Sequence, residues 1–287
     1  MSSTVRSLDH FVIVVRDLDS ARSTYERLGF HTLPRARHIE IGSSNHVIQL
    51  QETYLELVGD LEKTPALLRD RILPRFRCGE GLAIVSLTSS DLAADHQRIS
   101  EAGFAPARIL DARRKIRMPS GSEDETDSSC FYVWRADRLF STLFFSEHRR
   151  PQTIWVPQYQ RHANTARRVT ALTYLSDNPA AEVDYVSQLL GTGPRCSSFD
   201  QVSFETARGE TIEFLSHALL VRRLGDLAPS ACPALNVFPV GVAIEVGDLK
   251  ACESALLEGG VPISRRGGRI VVRASHACGV LLEFKEP

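Results

Sequence analysis

The sequence predicts an α+β fold in which four βαβββ modules pair into two cupped mixed sheets. A pattern of one strand, one helix and three further strands recurs four times along the 287 residues. In each copy the helix starts at an aspartate or an asparagine, and the copy closes on a short apolar strand. A chain of this length forms one large domain or two ordinary ones. We therefore expect two tandem domains, each with helices outside and a pocket inside.

The ends of the helices carry the clearest repeat signal. In three modules an aspartate follows the first strand, where its side chain can accept hydrogen bonds from free amide groups of the helix. A glycine closes each of these helices at the same distance, in the left-handed conformation. The pairs are Asp17 with Gly29, Asp91 with Gly103, and Asp248 with Gly260. The third module is looser and opens its helix with Asn178 and Pro179, and proline suits a first turn.

The strands that open and close the modules carry polar residues in apolar surroundings. The opening strand of module one, residues 8–15, contains His10 among β-branched and aromatic residues. The closing strand of that module contains Glu56, and modules three and four have Glu213 and Glu283 at the matching place. An unpaired charge in a buried strand is costly, so each of these side chains is expected to have a partner.

The four modules divide the chain into two predicted domains. Modules one and two form residues 1–150, and modules three and four form residues 166–287. Residues 151–165 are a connector, because this stretch contains two prolines and has mixed polarity. Trp155 and Tyr159 in the connector predict that it packs against a neighbouring surface.

Composition excludes several classes of function. The 34 basic and 35 acidic residues give a net charge of -1, which does not favour nucleic acid or an anionic membrane as a partner. No apolar stretch approaches the length of a membrane span. The six cysteines are far apart and form no C-x-x-C pair, which predicts no disulfide framework and a reducing, cytoplasmic location. A small molecule is the expected partner, and the sequence leaves a homodimer open.

Four short motifs give the first module a family likeness. They are the His10 strand, Arg37-His38, Gly42-Ser43-Ser44-Asn45 and Tyr54-Leu55-Glu56-Leu57. With the fourfold repeat, they resemble the glyoxalase-like branch of the vicinal oxygen chelate superfamily, which includes glyoxalase I, bleomycin-resistance proteins and extradiol dioxygenases. The resemblance covers nearly the whole chain. It implies the fold strongly and the substrate weakly, since this scaffold hosts many chemistries.

The resemblance implies a divalent metal such as zinc, iron, manganese or nickel. Metal-dependent members take one ligand from the first strand and one from the last strand of each of two paired modules. His10 and Glu56 are the ligands that module one would supply, and they are also the candidate catalytic residues. Module two does not match, because Ile84 and Phe144 stand at the corresponding positions.

Other residues could complete the site. His148 shares a strand face with Phe144, because side chains alternate along a strand, and it is the preferred third ligand. His46 and His38 are the alternatives for that role. We expect the substrate to contact four residues, namely His38, Asn45, His46 and Phe144.

The sequence supports two functions of different classes. One is a metal-assisted lyase, isomerase or hydrolase that acts on a small oxygenated molecule. The other is a metal-free protein that binds or sequesters a small molecule, as bleomycin-resistance proteins do. In that case His10 and Glu56 would hydrogen-bond one another. Glu213 and Glu283 would hold a hard ion or pair with arginines, and we favour a structural role for the second domain.

Overall fold

Two mixed sheets of eight strands each dominate a computed structural model that describes residues 5–287. Modules one and two form β1 (Leu8–Val14), β2 (Ala36–Arg37), β3 (Ser44–Gln49), β4 (Tyr54–Gly59), β5 (Gly81–Thr88), β6 (Leu110–Asp111), β7 (Lys115–Arg117), β8 (Glu123–Glu125), β9 (Ser128–Tyr132) and β10 (Leu143–His148). The first sheet has the order β2-β3-β4-β1-β5-β10-β9-β6, and β7 pairs with β8 as a separate hairpin. The two modules therefore meet at the antiparallel pair of β1 and β5.

The second sheet repeats this arrangement. Modules three and four form β11 (Ala166–Ser176), β12 (Cys196–Ser197), β13 (Gln201–Glu205), β14 (Thr211–Leu215), β15 (Val237–Val246), β16 (Ser264–Arg266), β17 (Arg269–Val272) and β18 (Leu281–Lys285). Their order is β12-β13-β14-β11-β15-β18-β17-β16. The predicted fold class is confirmed. The domain boundaries at residues 150 and 166 stay predictions, and they agree with where the strands of the two sheets end and begin.

Three module helices begin where the capping aspartates predict, whereas in module three a 3-10 turn over Pro179–Glu182 follows Asn178 and the α-helix begins at Val183. The α-helices are α1 (Leu18–Arg27), α2 (Ala66–Ile72), α3 (Leu92–Glu101), α4 (Val183–Leu190), α5 (His217–Leu224) and α6 (Leu249–Glu258). Asp17, Asp91 and Asp248 each accept a hydrogen bond from the backbone N–H three residues further on. The buried faces of α1, α3, α4 and α6 pack on one side of the sheets, in a core that both halves of the chain share.

Two helices lie on the other side of the sheets, which the sequence analysis did not predict. Helix α2 places Leu68 and Ile72 against the concave face of the first sheet. Helix α5 buries Leu220 and Leu224 in one cluster with Leu281 of the second sheet. The four module helices thus lie outside as expected, and α2 and α5 are additional helices inserted between two modules of each half.

A disulfide joins Cys78 and Cys232, whose Cα atoms lie 5.8 Å apart. The two cysteines are 154 residues apart in sequence and connect the first half of the chain to the second. The prediction of no disulfide is therefore wrong for this pair, because sequence separation says nothing about distance in the fold. Disulfides are typical of oxidising compartments. The Cys78–Cys232 disulfide is therefore evidence against the cytoplasmic location that the cysteine spacing predicts. Across residues 5–287, none of the helices has the length and apolar character needed to cross a bilayer.

Candidate functional site

A cavity lies between the concave face of the first sheet and helix α2. The space open to the centre of a water molecule is about 60 Å³. Its polar lining comes from both modules: His10, His38, Ser43, Tyr54, Glu56, Thr64, Arg114, Thr126, Ser128, Ser129, Ser146 and His148. Apolar side chains including Ile84, Tyr132 and Phe144 complete the wall. Polar groups that converge in a partly apolar pocket are typical of a ligand site, and this pocket is smaller than the roughly 300–1,000 Å³ of most such sites.

A bulge in β1 brings Asp9 and His10 to the same site. Leu8 and Phe11 of β1 pair with Leu87 and Val85 of β5, so three steps along one strand match two along the other. A bulge of this kind breaks the alternation of side chains and re-aims one of them. As a result the Asp9 Oδ1 atom lies 2.6 Å from the Nδ1 atom of His10, although neighbours in a regular strand point to opposite faces.

Asp9 holds two histidines at once. Its Oδ1 atom also lies 3.0 Å from the Nε2 atom of His148, whose Nδ1 atom is 2.7 Å from the Ser128 hydroxyl. Burial raises the pKa of Asp9, but the interactions with His148 and His10 outweigh burial and hold that pKa well below its usual range. An ionised carboxylate can only accept hydrogen bonds, so His10 donates from Nδ1, and in the neutral imidazole its Nε2 atom is then an acceptor.

Glu56 faces the free nitrogen of His10. The Oε2 atom of Glu56 lies 3.8 Å from the Nε2 atom of His10, which is too long for a hydrogen bond. The direct hydrogen bond considered as an alternative is therefore not formed. Burial raises the pKa of Glu56, but the neighbouring imidazoles of His38 and His10 and a hydrogen bond from Asn45 bring it below its ordinary value. Two hydrogen-bond acceptors thus face one another across a short gap.

His38 approaches the other oxygen of the same carboxylate. Its Nε2 atom lies 3.4 Å from the Oε1 atom of Glu56, and its Nδ1 atom lies 3.1 Å from the Ser43 hydroxyl. Burial lowers the pKa of His38, the negative charge of Glu56 opposes this, and the charge of Arg114 adds to the lowering. His38 is therefore a neutral imidazole near neutral pH.

Some of the predicted site residues meet in the cavity, and one of them lies on the other side of the sheet. The structure brings His10, Glu56 and His148 together, with both ring nitrogens of His148 already hydrogen-bonded. Phe144 also belongs to this group, since its ring centroid lies 5.1 Å from that of His10. His46 does not join them, because its side chain lies on the helix side of β3 and its Nδ1 atom is 2.8 Å from the Leu33 carbonyl oxygen.

Sequence analysis missed Asp9, Tyr54 and Arg114. The ring of Tyr54 stacks on His10, with centroids 4.4 Å apart. Tyr54 stood in the quoted motif but drew no attention, and Arg114 comes from a segment with no recognisable motif. The ligand-type atoms of Asp9, His10 and His148 all lie within 4.8 Å of one another, but they are hydrogen-bonded among themselves. This trio therefore supports the orientation of His10 and leaves the gap to Glu56 as the better place for a cation.

The strand register shows which residues of module two correspond to His10 and Glu56. Val12, two residues after His10, pairs with Glu56, and Ser86, two residues after Ile84, pairs with Phe144 in the same parallel sense. Ile84 and Phe144 therefore stand where module one has His10 and Glu56. Neither side chain has an atom that can bind a metal, so half of the ligand set implied by the resemblance is replaced by apolar groups.

The matching glutamates of the second half are paired with arginines. Arg223 Nη1 lies 2.8 Å from Glu213 Oε2, and Arg269 Nη1 lies 2.8 Å from Glu283 Oε2. Thr173 also donates to Glu213. Both glutamates therefore have arginine partners, which is one of the two alternatives that the sequence left open.

The two cupped mixed sheets and the cavity of the first sheet are the arrangement expected of a glyoxalase-like protein. The family model of the glyoxalase-like domain matches residues 8–190, more than half of the chain, so the chain belongs to the glyoxalase-like domain family. No curated protein matches the sequence.

Solved structures share the fold at low sequence identity. A hypothetical protein from Staphylococcus aureus is 11% identical, with a TM-score of 0.70 over 99% of this chain and 100% of that one. A triple mutant of 4-hydroxymandelate synthase from Streptomyces coelicolor is 15% identical, with a TM-score of 0.63 over 98% of this chain and 92% of that one. A xylose isomerase-like TIM barrel/4-hydroxyphenylpyruvate dioxygenase fusion protein is 12% identical, with a TM-score of 0.61 over 99% of this chain and 49% of that one. At such identities these likenesses establish the fold alone.

Proposed function

We propose that the chain is an enzyme that binds a small oxygenated molecule in the N-terminal cavity and moves a proton next to a carbonyl or hydroxyl group, with help from a divalent metal. The observation that carries this proposal is the pair of acceptor atoms, His10 Nε2 and Glu56 Oε2, that face one another at 3.8 Å. Such a pair is satisfied by a cation between the two atoms.

The donor chemistry suits a divalent ion that is weakly held by the protein alone. The two acceptor atoms lie 3.8 Å apart, so a small movement of the two side chains would let His10 and Glu56 hold one ion through bonds of about 2.1 Å each. Asp9 fixes the outer nitrogen of His10, as carboxylates commonly do for metal-binding histidines. Because Ile84 and Phe144 cannot bind metal, the other coordination positions would be open to substrate oxygens. When bound, the metal would polarise a substrate oxygen as a Lewis acid.

The residues of the chain would position the substrate and move the proton. His38 is neutral near pH 7 because burial lowers its pKa, so it can accept a proton at Nε2. The Nε2 atom of His38 lies beside the Glu56 oxygen that does not face His10. A cation held between His10 and Glu56 would therefore leave the Nε2 atom of His38 available for proton transfer. Helix α2 and Ile154 of the connector close the cavity and limit the entry of water.

The metal site is tested by measuring the binding of Mn²⁺ to the purified, untagged protein with electron paramagnetic resonance. We expect one Mn²⁺ site in the natural protein, at least tenfold weaker binding in His10→Ala and Glu56→Gln, and no change in Glu213→Gln. Glu213 is the matched control, since it occupies the position of Glu56 in module three but already pairs with Arg223. Equal Mn²⁺ affinity in Glu56→Gln and Glu213→Gln would contradict the proposed metal site.

Proton transfer is tested by deuterium incorporation from heavy water into small 2-oxo and 2-hydroxy compounds, followed by NMR. Incorporation should depend on added metal and should fall at least tenfold in His38→Gln.

A metal-free binding protein is the second candidate, and the replacement of two ligand positions by Ile84 and Phe144 favours it. Its cavity wall would bind an apolar group through Phe144 and Tyr132, whose rings stack with centroids 4.8 Å apart. A ligand that binds equally well in natural protein and in Glu56→Gln, without metal and without deuterium incorporation, would support this candidate over the enzyme.

A further inference from the structure

Arg114 is a buried cation in the cavity wall. Its residue is only 5% exposed, and its Nη2 atom has no hydrogen-bond partner within residues 5–287. Buried Arg75, by contrast, donates to the carbonyl oxygens of Leu82 and Gly79. Buried charges are normally paired, because removing an ion from water is costly. The guanidinium of Arg114 therefore needs an anion that the chain itself does not supply in full.

The backbone around Arg114 is held firmly. Arg114 forms a bridge with His38 at the base of the β7–β8 hairpin. Its N–H donates to the Thr126 hydroxyl, and its carbonyl oxygen accepts from the Thr126 N–H. The side chain is thus presented to the cavity from a fixed base, as a binding group should be.

A second unpaired donor lines the same cavity. The hydroxyl oxygen of Thr64, just before helix α2, is buried and has no partner in the described chain. Thr64 itself is 3% exposed. Arg114 and Thr64 both line this cavity, and a carboxylate accepts hydrogen bonds from a guanidinium and from a hydroxyl.

The charge of Arg114 matches that of a monoanion. Its single positive charge can balance the single negative charge of a carboxylate. A phosphate dianion would place a second negative charge in a cavity that already contains the carboxyl group of Glu56, and like charges repel.

We propose that Arg114 and Thr64 form a carboxylate subsite, so that the ligand is a small 2-oxo or 2-hydroxy carboxylate. The cavity is small, so a carboxylate held by Arg114 would leave the neighbouring oxygen of the ligand near His10 and Glu56. The assignment of this second oxygen rests on the proposed function, whereas the carboxylate subsite rests on Arg114 and Thr64.

Isothermal titration calorimetry at pH 7 tests the subsite with L-lactate, pyruvate, their neutral amides and inorganic phosphate. The natural protein should bind at least one of the two carboxylates at least tenfold more tightly than the corresponding amide and than phosphate. Arg114→Gln should reduce this affinity at least tenfold, to the level of the amide, and Arg114→Lys should restore part of it. Arg113→Gln is the matched control, since Arg113 is the neighbouring arginine but pairs with Glu40 at the surface.

Three outcomes would overturn the subsite: no carboxylate binding by the natural protein, equal binding of acid and amide, or unchanged binding in folded Arg114→Gln. The comparison of acid with amide needs no variant, so it stands even if Arg114→Gln does not fold. Mn²⁺ binding by Arg114→Gln should be at least as tight as in the natural protein, since the variant keeps His10 and Glu56 and loses a nearby positive charge. Arg114-dependent lactate binding in a chain that binds no metal would refute the proposed metal chemistry and leave the subsite standing.

Discussion

Protonation of His162 should destabilise the protein between about pH 6.5 and pH 4. His162 lies in the connector, 9% exposed, and both of its ring nitrogens are engaged. Its Nδ1 atom accepts from the His31 N–H at 3.0 Å, and its Nε2 atom lies 2.8 Å from the Gln49 carbonyl oxygen. A second proton on Nδ1 would point at the His31 N–H. Burial lowers the pKa of His162 from 6.5 to about 4, and the bond to Gln49 only partly opposes this.

The size of the effect follows from the two pKa values. The unfolded chain takes up the proton near pH 6.5 and the folded chain only near pH 4, so the stabilisation is complete above pH 6.5 and is lost as pH falls through this window. The difference corresponds to about 3 kcal/mol in the free energy of unfolding, of which about 2 kcal/mol is lost by pH 5.

Urea unfolding of the natural protein and of His162→Gln at pH 7 and pH 5 measures this loss. Glutamine can accept from the His31 N–H and donate to the Gln49 carbonyl oxygen, but it does not titrate. Between the two pH values the natural protein should lose about 2 kcal/mol more than His162→Gln. His217→Gln, at an exposed histidine, should behave like the natural protein. Parallel losses in the natural protein and in His162→Gln would refute the assignment.

Three further predictions concern the site and the contacts between the halves of the chain. Asp9→Asn should weaken Mn²⁺ binding about 10- to 100-fold in a folded protein, because His10 loses the carboxylate that fixes its tautomer; unchanged affinity would exclude this role. Replacing Cys78 and Cys232 together by serine should lower the free energy of unfolding by about 2–5 kcal/mol. A reductant should lower the melting temperature of the natural protein only, whereas an equal shift in both proteins would argue against the disulfide. Glu182→Gln should lower the free energy of unfolding by about 3–5 kcal/mol, since Glu182 is fully buried between two arginines of the first half. A decrease below about 1 kcal/mol, measured by calorimetry, would contradict that reasoning.

The Glu182 ion pairs show how the two halves of the chain are held together. Arg135 and Arg138, from the segment between β9 and β10, both reach Glu182 at the start of module three. Arg138 also donates to the hydroxyl of Ser176 at the end of β11. With the Cys78–Cys232 disulfide, these contacts fix one sheet relative to the other. The two halves of the chain are therefore joined by one covalent link and by buried ion pairs.

Local signals in the sequence were sufficient for the module architecture. A capping aspartate and a closing glycine are stereochemical requirements of a single helix, so Asp17 and Gly29 mark α1 without any knowledge of the rest of the fold. Ser216 caps α5 in the same way and was a signal that sequence analysis overlooked. Helix α2 has no side-chain cap at its first residue, so its start carried no such signal.

The sequence by itself determined the four modules, the apolar replacement of two ligand positions, and the presence of His10 and Glu56 in neighbouring strands. Only the tertiary structure decided which polar groups converge in the cavity. The bulge that turns Asp9 toward His10 depends on pairing with β5, and the place of Arg114 depends on a hairpin that crosses from module two to His38. Cap and strand signals act within a few residues, whereas these contacts join residues that are 70 or more positions apart. That separation is the physical reason why the repeat could be read from the chain and the chemistry of its cavity could not.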